Sequence, residues 1–430
     1  MLYFKSEKWL KRWLLFTIAG FLSLAAKSQN NLTIEECYRL ARENYPLVKK
    51  ADLIAKTSQY TVENAGKGYL PQLSFSGQAS YQSQTINFAD VLPPQSGIHV
   101  PPLSKDQYKI QGEVSQQIYD GGLSQDKAAY TKASEAIQQQ NLEVNLYALK
   151  DRVTQLYFSV LLMDEQYRQN ELRKSDLKNE VSKAEASLKN GAAYRSSVDE
   201  LKAELAGADM TGIEFKANRQ TYLQILSVLI GKTVADSAYV SMPVEKTSIP
   251  EIRRPELQLY DLQKKAYDVQ EKQLRSDYMP RLNAFFQEAY GRPTLNIIEN
   301  NFGFWYITGI RLNWSLGSLY TLKNNKRILN LDRQSTDIDK ETFLKNTNLD
   351  LTRENGNIKK YRRLIQQDDQ AIQLRASVKK SAQAQLANGV ITIHEYIAQV
   401  NAENLARQTQ ILHHIQLLQA QYQYSNISGN

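Results

Sequence analysis

The side chains whose types could do chemistry in this chain are two adjacent histidines, His413 and His414, two adjacent acids, Asp368 and Asp369, and one thiol, Cys37. Neighbours on a helix point about 100° apart, so His413 and His414 do not clasp one metal as an i, i+4 pair does, and they read as surface or interface histidines. Asp368 and Asp369 splay in the same way and read as solvated. Cys37 shares a helical face with Ile34 and Ala41, the place of a small buried thiol. It follows Glu35 and Glu36 rather than a small residue, which argues against lipidation, and a lone cysteine forms no intramolecular disulfide. No phosphate-cradling glycine loop, dinucleotide fingerprint or nucleophile elbow occurs. The expectation is no enzyme, no cofactor and no metal site, so the function must be sought in the elements and the shape they build.

The first residues carry Lys5, Lys8, Lys11 and Arg12 before an apolar run from Trp13 to Ala26 and the small-residue pattern Ala26-Lys27-Ser28. That is the pattern of a secretory signal peptide over residues 1–28. The run is shorter than the roughly 20 residues a spanning helix needs. Removing this segment takes away five basic residues and one acid, so the net charge of +8 falls by four to +4. The basic balance is then largely targeting, and nothing in it calls for nucleic acid.

The rest of the chain says the same thing twice. Pro46–Tyr81 aligns without a gap on Pro255–Tyr290, 209 residues on, with identities including Asp52/Asp261, Leu73/Leu282, Gln78/Gln287 and Tyr81/Tyr290. Such a repeat predicts one supersecondary unit used twice: residues 29–231 and 254–430, with a linker at 232–253. Each copy reads as a helix, a Tyr-Leu/Met-Pro stop, two strands, and a very long helical hairpin. From Leu123 to Asn190 there is neither proline nor glycine, which predicts a continuous rod of roughly 100 Å. Leu146, Leu149, Val153, Leu156, Val160, Met163 and Tyr167 keep a 3-4 spacing, answered on the return segment by Val198, Leu201, Leu205, Ala208, Gly212 and Phe215. This is the seam of an antiparallel coiled coil. Asn190-Gly191 and Asn388-Gly389 mark the two turns, and Ser197 with Glu200 and Thr392 with Glu395 fit the S/T-x-x-E box that starts the next helix.

The strands alternate. Leu73, Phe75 and Tyr81 stand on one face of the first, Tyr108 and Ile110 on one face of its partner, and Tyr306, Ile310, Leu312 and Trp314 on one face of the last, with glutamine, serine and charged residues opposite. Strands of about ten residues with one apolar and one polar face fit the wall of a transmembrane barrel. Open sheet edges are forbidden in hydrocarbon, so four strands per chain require oligomerisation. Two chains would give eight strands and a filled interior, and three would give twelve and room for a pore.

The opening Leu32-Thr33-Ile34-Glu35-Glu36-Cys37 through Asn44-Tyr45-Pro46, then Tyr69-Leu70-Pro71-Gln72-Leu73, Tyr119-Asp120-Gly121-Gly122, Arg254-Pro255-Glu256-Leu257 and the two Asn-Gly tips resemble, in their order and duplication, the TolC-like outer-membrane efflux proteins. The resemblance covers essentially the whole mature chain. It implies a mainly α fold with a small β-barrel part: a homotrimer with twelve strands in the outer membrane and twelve long helices forming a periplasmic tunnel. It also implies a periplasmic adaptor (membrane fusion) protein and an inner-membrane transporter of RND or ABC type as partners. By the same resemblance Asn190, Gly191, Ala192, Tyr194, Arg195, Asn388, Gly389, Val390 and Ile391 would dock the adaptor, and Glu395 and Ser197 would lie at the pore constriction. The family's second acid would fall on Ala398, a departure from its two-acid pattern. The function implied is a passive exit duct of a tripartite efflux or type I secretion system. The alternative from another class is a coiled-coil tether or adhesin anchored in the outer membrane, which would have no use for polar-lined strands.

Overall fold

Period-two alternation in residues 72–81 gives an extended chain with two chemically distinct faces, and the polar stretch at 106–119 pairs with it. The computed structural model describes residues 31–86, 102–247, 251–296 and 298–430. The signal segment at 1–28 and the loop prolines Pro93, Pro94 and Pro101 lie outside the described residues. In chain order the elements are β1 (Asn31–Leu32), α1 (Ile34–Asn44), a short 3-10 turn (Pro46–Lys49), α2 (Lys50–Lys67), β2 (Gln72–Tyr81), β3 (Asp106–Tyr119), α3 (Leu123–Tyr147) and α4 (Leu149–Lys189). They continue with α5 (Arg195–Ile230), β4 (Tyr239–Val240), α6 (Pro255–Ser276), β5 (Arg281–Arg292), β6 (Gly303–Asn313), α7 (Leu319–Ala387) and α8 (Ile393–Ser428). The expected single rod from Leu123 is divided at Ala148, whose φ of −61° and ψ of −18° remain right-handed.

Two compact units are present. One, built from Lys49–Leu142 and Glu256–Thr342, holds a four-stranded antiparallel sheet in the order β2-β3-β5-β6. The duplicated residues keep their faces: Leu73 lies opposite Val114 and Leu282 opposite Leu312, while Gln78 and Gln287 stand on the other face. Phe75 reaches over Gly112, its direct partner on β3, and Phe285 reaches over Gly309 on β6. An aromatic ring thus covers the gap that each of these two glycines leaves, one on each face of the sheet. Asp120 explains two of the sequence marks at once. Its carboxylate accepts from Tyr69 Oη at 2.7 Å, from the Gly122 amide at 2.8 Å and from the Ser124 amide at 2.7 Å, tying the end of α2 to the start of α3. Helix α6 is laced to α7 by ion pairs of Lys264 with Asp337, Lys340 with Asp261, and Arg333 with Asp268 and Glu271.

The other unit gathers the residues up to Val48 with Glu143–Pro255 and Phe343–Asn430. Its first core is formed by Ile34, Cys37 and Ala41 of α1, Val153, Tyr157 and Val160 of α4, Leu223, Leu226 and Ile230 of α5, and Ile415 and Tyr422 of α8. The 3-4 seam is therefore real at Leu146, Leu149, Val153, Val160, Val198, Leu201 and Ala208, all buried. Burial and the neighbouring Glu36 and Glu35 push the Cys37 thiol up to about 12, so it stays protonated and inert. The parallel pair β1–β4 is only two residues long on each side. Tyr157 pins it, its hydroxyl lying 2.9 Å from the Leu32 carbonyl and 2.7 Å from that of Ser241.

Candidate functional site

The two helical tips are built alike. Beyond α4, Gly191 takes φ +73°, its amide donates to the Leu188 carbonyl at 3.0 Å and the Ala192 amide to that of Ser187 at 2.9 Å. Beyond α7, Gly389 takes φ +69°, its amide donates to Leu386 at 3.0 Å and that of Val390 to Gln385 at 2.9 Å. This paired bonding satisfies the last carbonyls of each helix through one left-handed residue, which glycine adopts without steric cost. Asn190, Gly191, Ala192, Tyr194, Arg195, Asn388, Gly389 and Val390 are exposed. Ile391 is not: it is half-buried against the core formed by Leu177, Val181, Leu201, Tyr396 and Ile397.

The return helices start differently. Thr392 and Glu395 make the full capping box, with the Glu395 amide donating to Thr392 Oγ1 at 3.2 Å and the Thr392 amide to Glu395 Oε2 at 2.8 Å. These bonds from the Thr392 backbone and side chain hold the exposed Glu395 carboxyl below its usual range. Ser197 and Glu200 make no such box. Helix α5 already begins at Arg195, with Tyr194 extended at the cap position and making no side-chain bond, so Ser197 lies inside the first turn. The Glu200 carboxylate accepts from no cap amide; its Oε1 sits 2.8 Å from His394 Nδ1 on the other hairpin.

Below the tips the two hairpins are joined by charge. Lys379 of α7 contacts Asp176 of α4 at 2.8 Å and Glu403 of α8 at 2.9 Å, and Arg407 holds Glu403 at 2.7 Å. Arg173 donates to Asn401 at 2.7 Å and pairs with Glu204. Burial works to raise the Glu403 pKa, but the hydrogen bonds from Lys379 and Arg407 win and hold it below its ordinary value. The acids read as solvated are partnered: Asp368 lies 2.6 Å from His413 Nδ1, both largely buried, and Asp369 accepts from Gln410. Those contacts join residues more than 40 positions apart on α7 and α8, which helical spacing alone does not reveal. Among the described residues no group of three histidine, cysteine or carboxylate side chains is placed to hold a metal ion, and no helix is long and apolar enough to cross a membrane.

On the sheet, register puts Leu73, Phe75, Tyr81, Tyr108, Ile110, Tyr306, Ile310 and Leu312 on one face, and all are exposed. Val114, Phe286, Tyr290 and Phe304 join them. Trp314 lies just past β6 and is exposed, its indole N–H donating to the Tyr278 carbonyl at 3.0 Å. Sequence reading missed Glu288, which stands on this same apolar face between Gly112 and Tyr306.

The sheet turns a broad apolar face to solvent, and the long helical hairpins end in paired caps. Solved outer-membrane channels share this fold. The chain matches the CmeC outer membrane channel of Campylobacter jejuni at 14% identity and a TM-score of 0.62, over 92% of this chain and 85% of that one. It matches CusC at 12% and 0.66, covering 92% of each chain, and the outer membrane protein VceC of Vibrio cholerae at 13% and 0.64, over 92% and 96%. No curated protein matches the sequence. Residues 37–232 match the family described as outer membrane efflux protein. A little under half of the chain thus resembles that family, and over 92% of its length the chain shares the fold of solved outer-membrane channels.

Proposed function

We propose that this protein is the passive exit duct of a tripartite efflux or type I secretion system, three copies closing one twelve-stranded barrel. The observation that carries the reading is the sheet: β2 and β6 are its two edges, and its exposed face is apolar. Unpaired backbone groups in hydrocarbon cost several kcal/mol each, so β2 of one copy must pair with β6 of the next until the wall closes. Two copies would make eight strands, whose interior side chains fill; three make twelve and leave a lumen for the polar face. The helical hairpins then form a periplasmic tunnel whose tips, through exposed Ala192, Tyr194, Arg195 and Val390, meet a periplasmic adaptor, and through it an inner-membrane pump of RND or ABC type. Glu395, repeated about the axis, lies at the tunnel's narrow end. Mass measurement of the detergent-extracted protein tests the reading: a trimer is expected, together with disulfide trapping between cysteines placed on the β2 and β6 edges. A monodisperse monomer without trapping overturns it.

A further inference from the structure

The polar face of the sheet is not neutral. Register places Lys109, Gln111, Glu113 and Ser115 of β3, Arg281, Asn283, Phe285 and Gln287 of β5, and Trp305 and Arg311 of β6 on it, beside the serines and glutamines of β2. Of its ionisable groups three are cations, Lys109, Arg281 and Arg311, and one is an acid, Glu113, an excess of two positive charges per chain. The cations lie along the sheet surface. The Arg311 guanidinium rests 4.5 Å from the centre of the Phe285 ring, with Nη1 3.7 Å from Glu113, and Lys109 Nζ stands 5.9 Å from the Trp305 ring. Both bridges cross β5, whose small Ala289 and Gly291 leave the room that Lys109 and Trp305 use. Glu113 is also held by Gln287 at 3.1 Å, so the one acid is engaged while the cation excess remains. The apolar face has the opposite balance: Asp106 pairs with Arg292, leaving Glu288.

We propose that this face is an anion-favouring lining of the barrel, with Lys109 and Arg311 setting the sign and Glu113 moderating it, so that the barrel passes anionic solutes in preference to cationic ones. The inference rests on the duct reading, in which this face lines the lumen. Low-dielectric walls focus such a charge excess into potentials of order kT or more. A potential of about +1 kT multiplies the ratio of anion to cation concentration by e², roughly sevenfold.

The test reads local potential without requiring conduction. Ser76 is exposed on the polar face of β2, opposite Gln111. In Ser76→Cys protein reconstituted in liposomes, modification rates are measured with a methanethiosulfonate carrying a sulfonate and with one carrying a trimethylammonium, each normalised to a free thiol. The parent chain, whose cysteine is buried, supplies the background. The anionic reagent should be favoured about sevenfold at low salt, and the preference should collapse at 1 M salt, where screening acts within about 3 Å. Scaling with net charge, Lys109→Gln should lower it toward about threefold and Glu113→Gln should raise it toward about 20-fold. Opposite shifts from two neutralisations are something misfolding does not produce. A normalised ratio at or below one, or one that Lys109→Gln and Glu113→Gln leave in place, overturns the charge proposal and leaves the lumen standing. A thiol that reacts with neither reagent until the protein is unfolded overturns the lumen itself, and the proposal with it.

Discussion

Glu403 is the acid on which the two helical hairpins converge, and Glu403→Gln separates its charge from its shape. The side chain is 8% exposed and holds Arg407 of its own helix and Lys379 of α7, while Lys379 also reaches Asp176 of α4. Breaking a fully buried pair costs about 3–5 kcal/mol. Here both partners have recourse: Lys379 keeps Asp176, and Arg407, 40% exposed, turns to water. The loss is then that of the charge component of the two hydrogen bonds, about 2 kcal/mol, which is roughly a 30-fold change in a local opening constant. Native-state hydrogen exchange over residues 376–407 and 170–186 reads that quantity directly, without requiring reversible global unfolding of an oligomer.

The pH dependence has a fixed sign. The folded-state pKa of Glu403 is depressed from its ordinary 4.5, so its stabilisation is fully present above that value and is lost as pH falls through the folded pKa. After correction for intrinsic exchange rates, the wild type should lose protection in this acid window and Glu403→Gln should lose less. A change under threefold at neutral pH, or an identical acid response in both proteins, would refute the assignment of Glu403 as the link between hairpins.

Gly389→Ala keeps open space around the new methyl but forces φ +69° on alanine, an expected loss of about 1–2 kcal/mol confined to exchange at the tip. Gly231→Ala adds a collision, since its Cβ would lie 2.6 Å from Asn44 Cβ, and should lower the yield of folded protein where Gly389→Ala does not. Tyr157→Phe leaves the carbonyls of Leu32 and Ser241 without its hydroxyl and should cost about 1–3 kcal/mol, seen as faster exchange around residues 31–32 and 239–241. Glu395→Gln keeps the length and most of the cap while removing the charge; if this acid lines the constriction, permeation in planar bilayers should shift toward anions, and unchanged selectivity and conductance would make Glu395 a cap alone.

What the sequence made legible follows from how strongly each feature is imposed by its solvent. The strands were readable because one face is apolar and the other polar, so every second residue reports its side, and a one-residue slip would exchange the faces. The tips were readable because a left-handed residue ending a helix nearly demands glycine. The capping boxes show the limit of short patterns. Thr392-x-x-Glu395 and Ser197-x-x-Glu200 are the same motif, yet only the first caps, because Tyr194 ends the turn three residues before Ser197 and the helix has begun by the time the motif arrives. Three residues do not encode where a helix starts.

The charges were the least legible, and for a single reason. On an isolated helix, Asp176, Lys379, Glu403 and Arg407 look like the solvated face of an amphipathic rod, and Asp368 beside Asp369 looks the same. Their partners lie on other helices, brought close by packing that the apolar seam determines: Lys379 lies 203 residues from Asp176, the interval at which Gln383 also meets Glu180. That shared offset means one ion pair and one charge–amide hydrogen bond lie a helical turn apart in the same register. A polar interface of this kind is weaker per contact than an apolar one and is specific in register, since a slip leaves charges unpaired. The charges do not act alone: Leu177, Val181 and Leu201 of the first hairpin share one apolar core with Ala382, Tyr396, Ile397 and Val400 of the second, so that core supplies the adhesion and the ion pairs select its alignment.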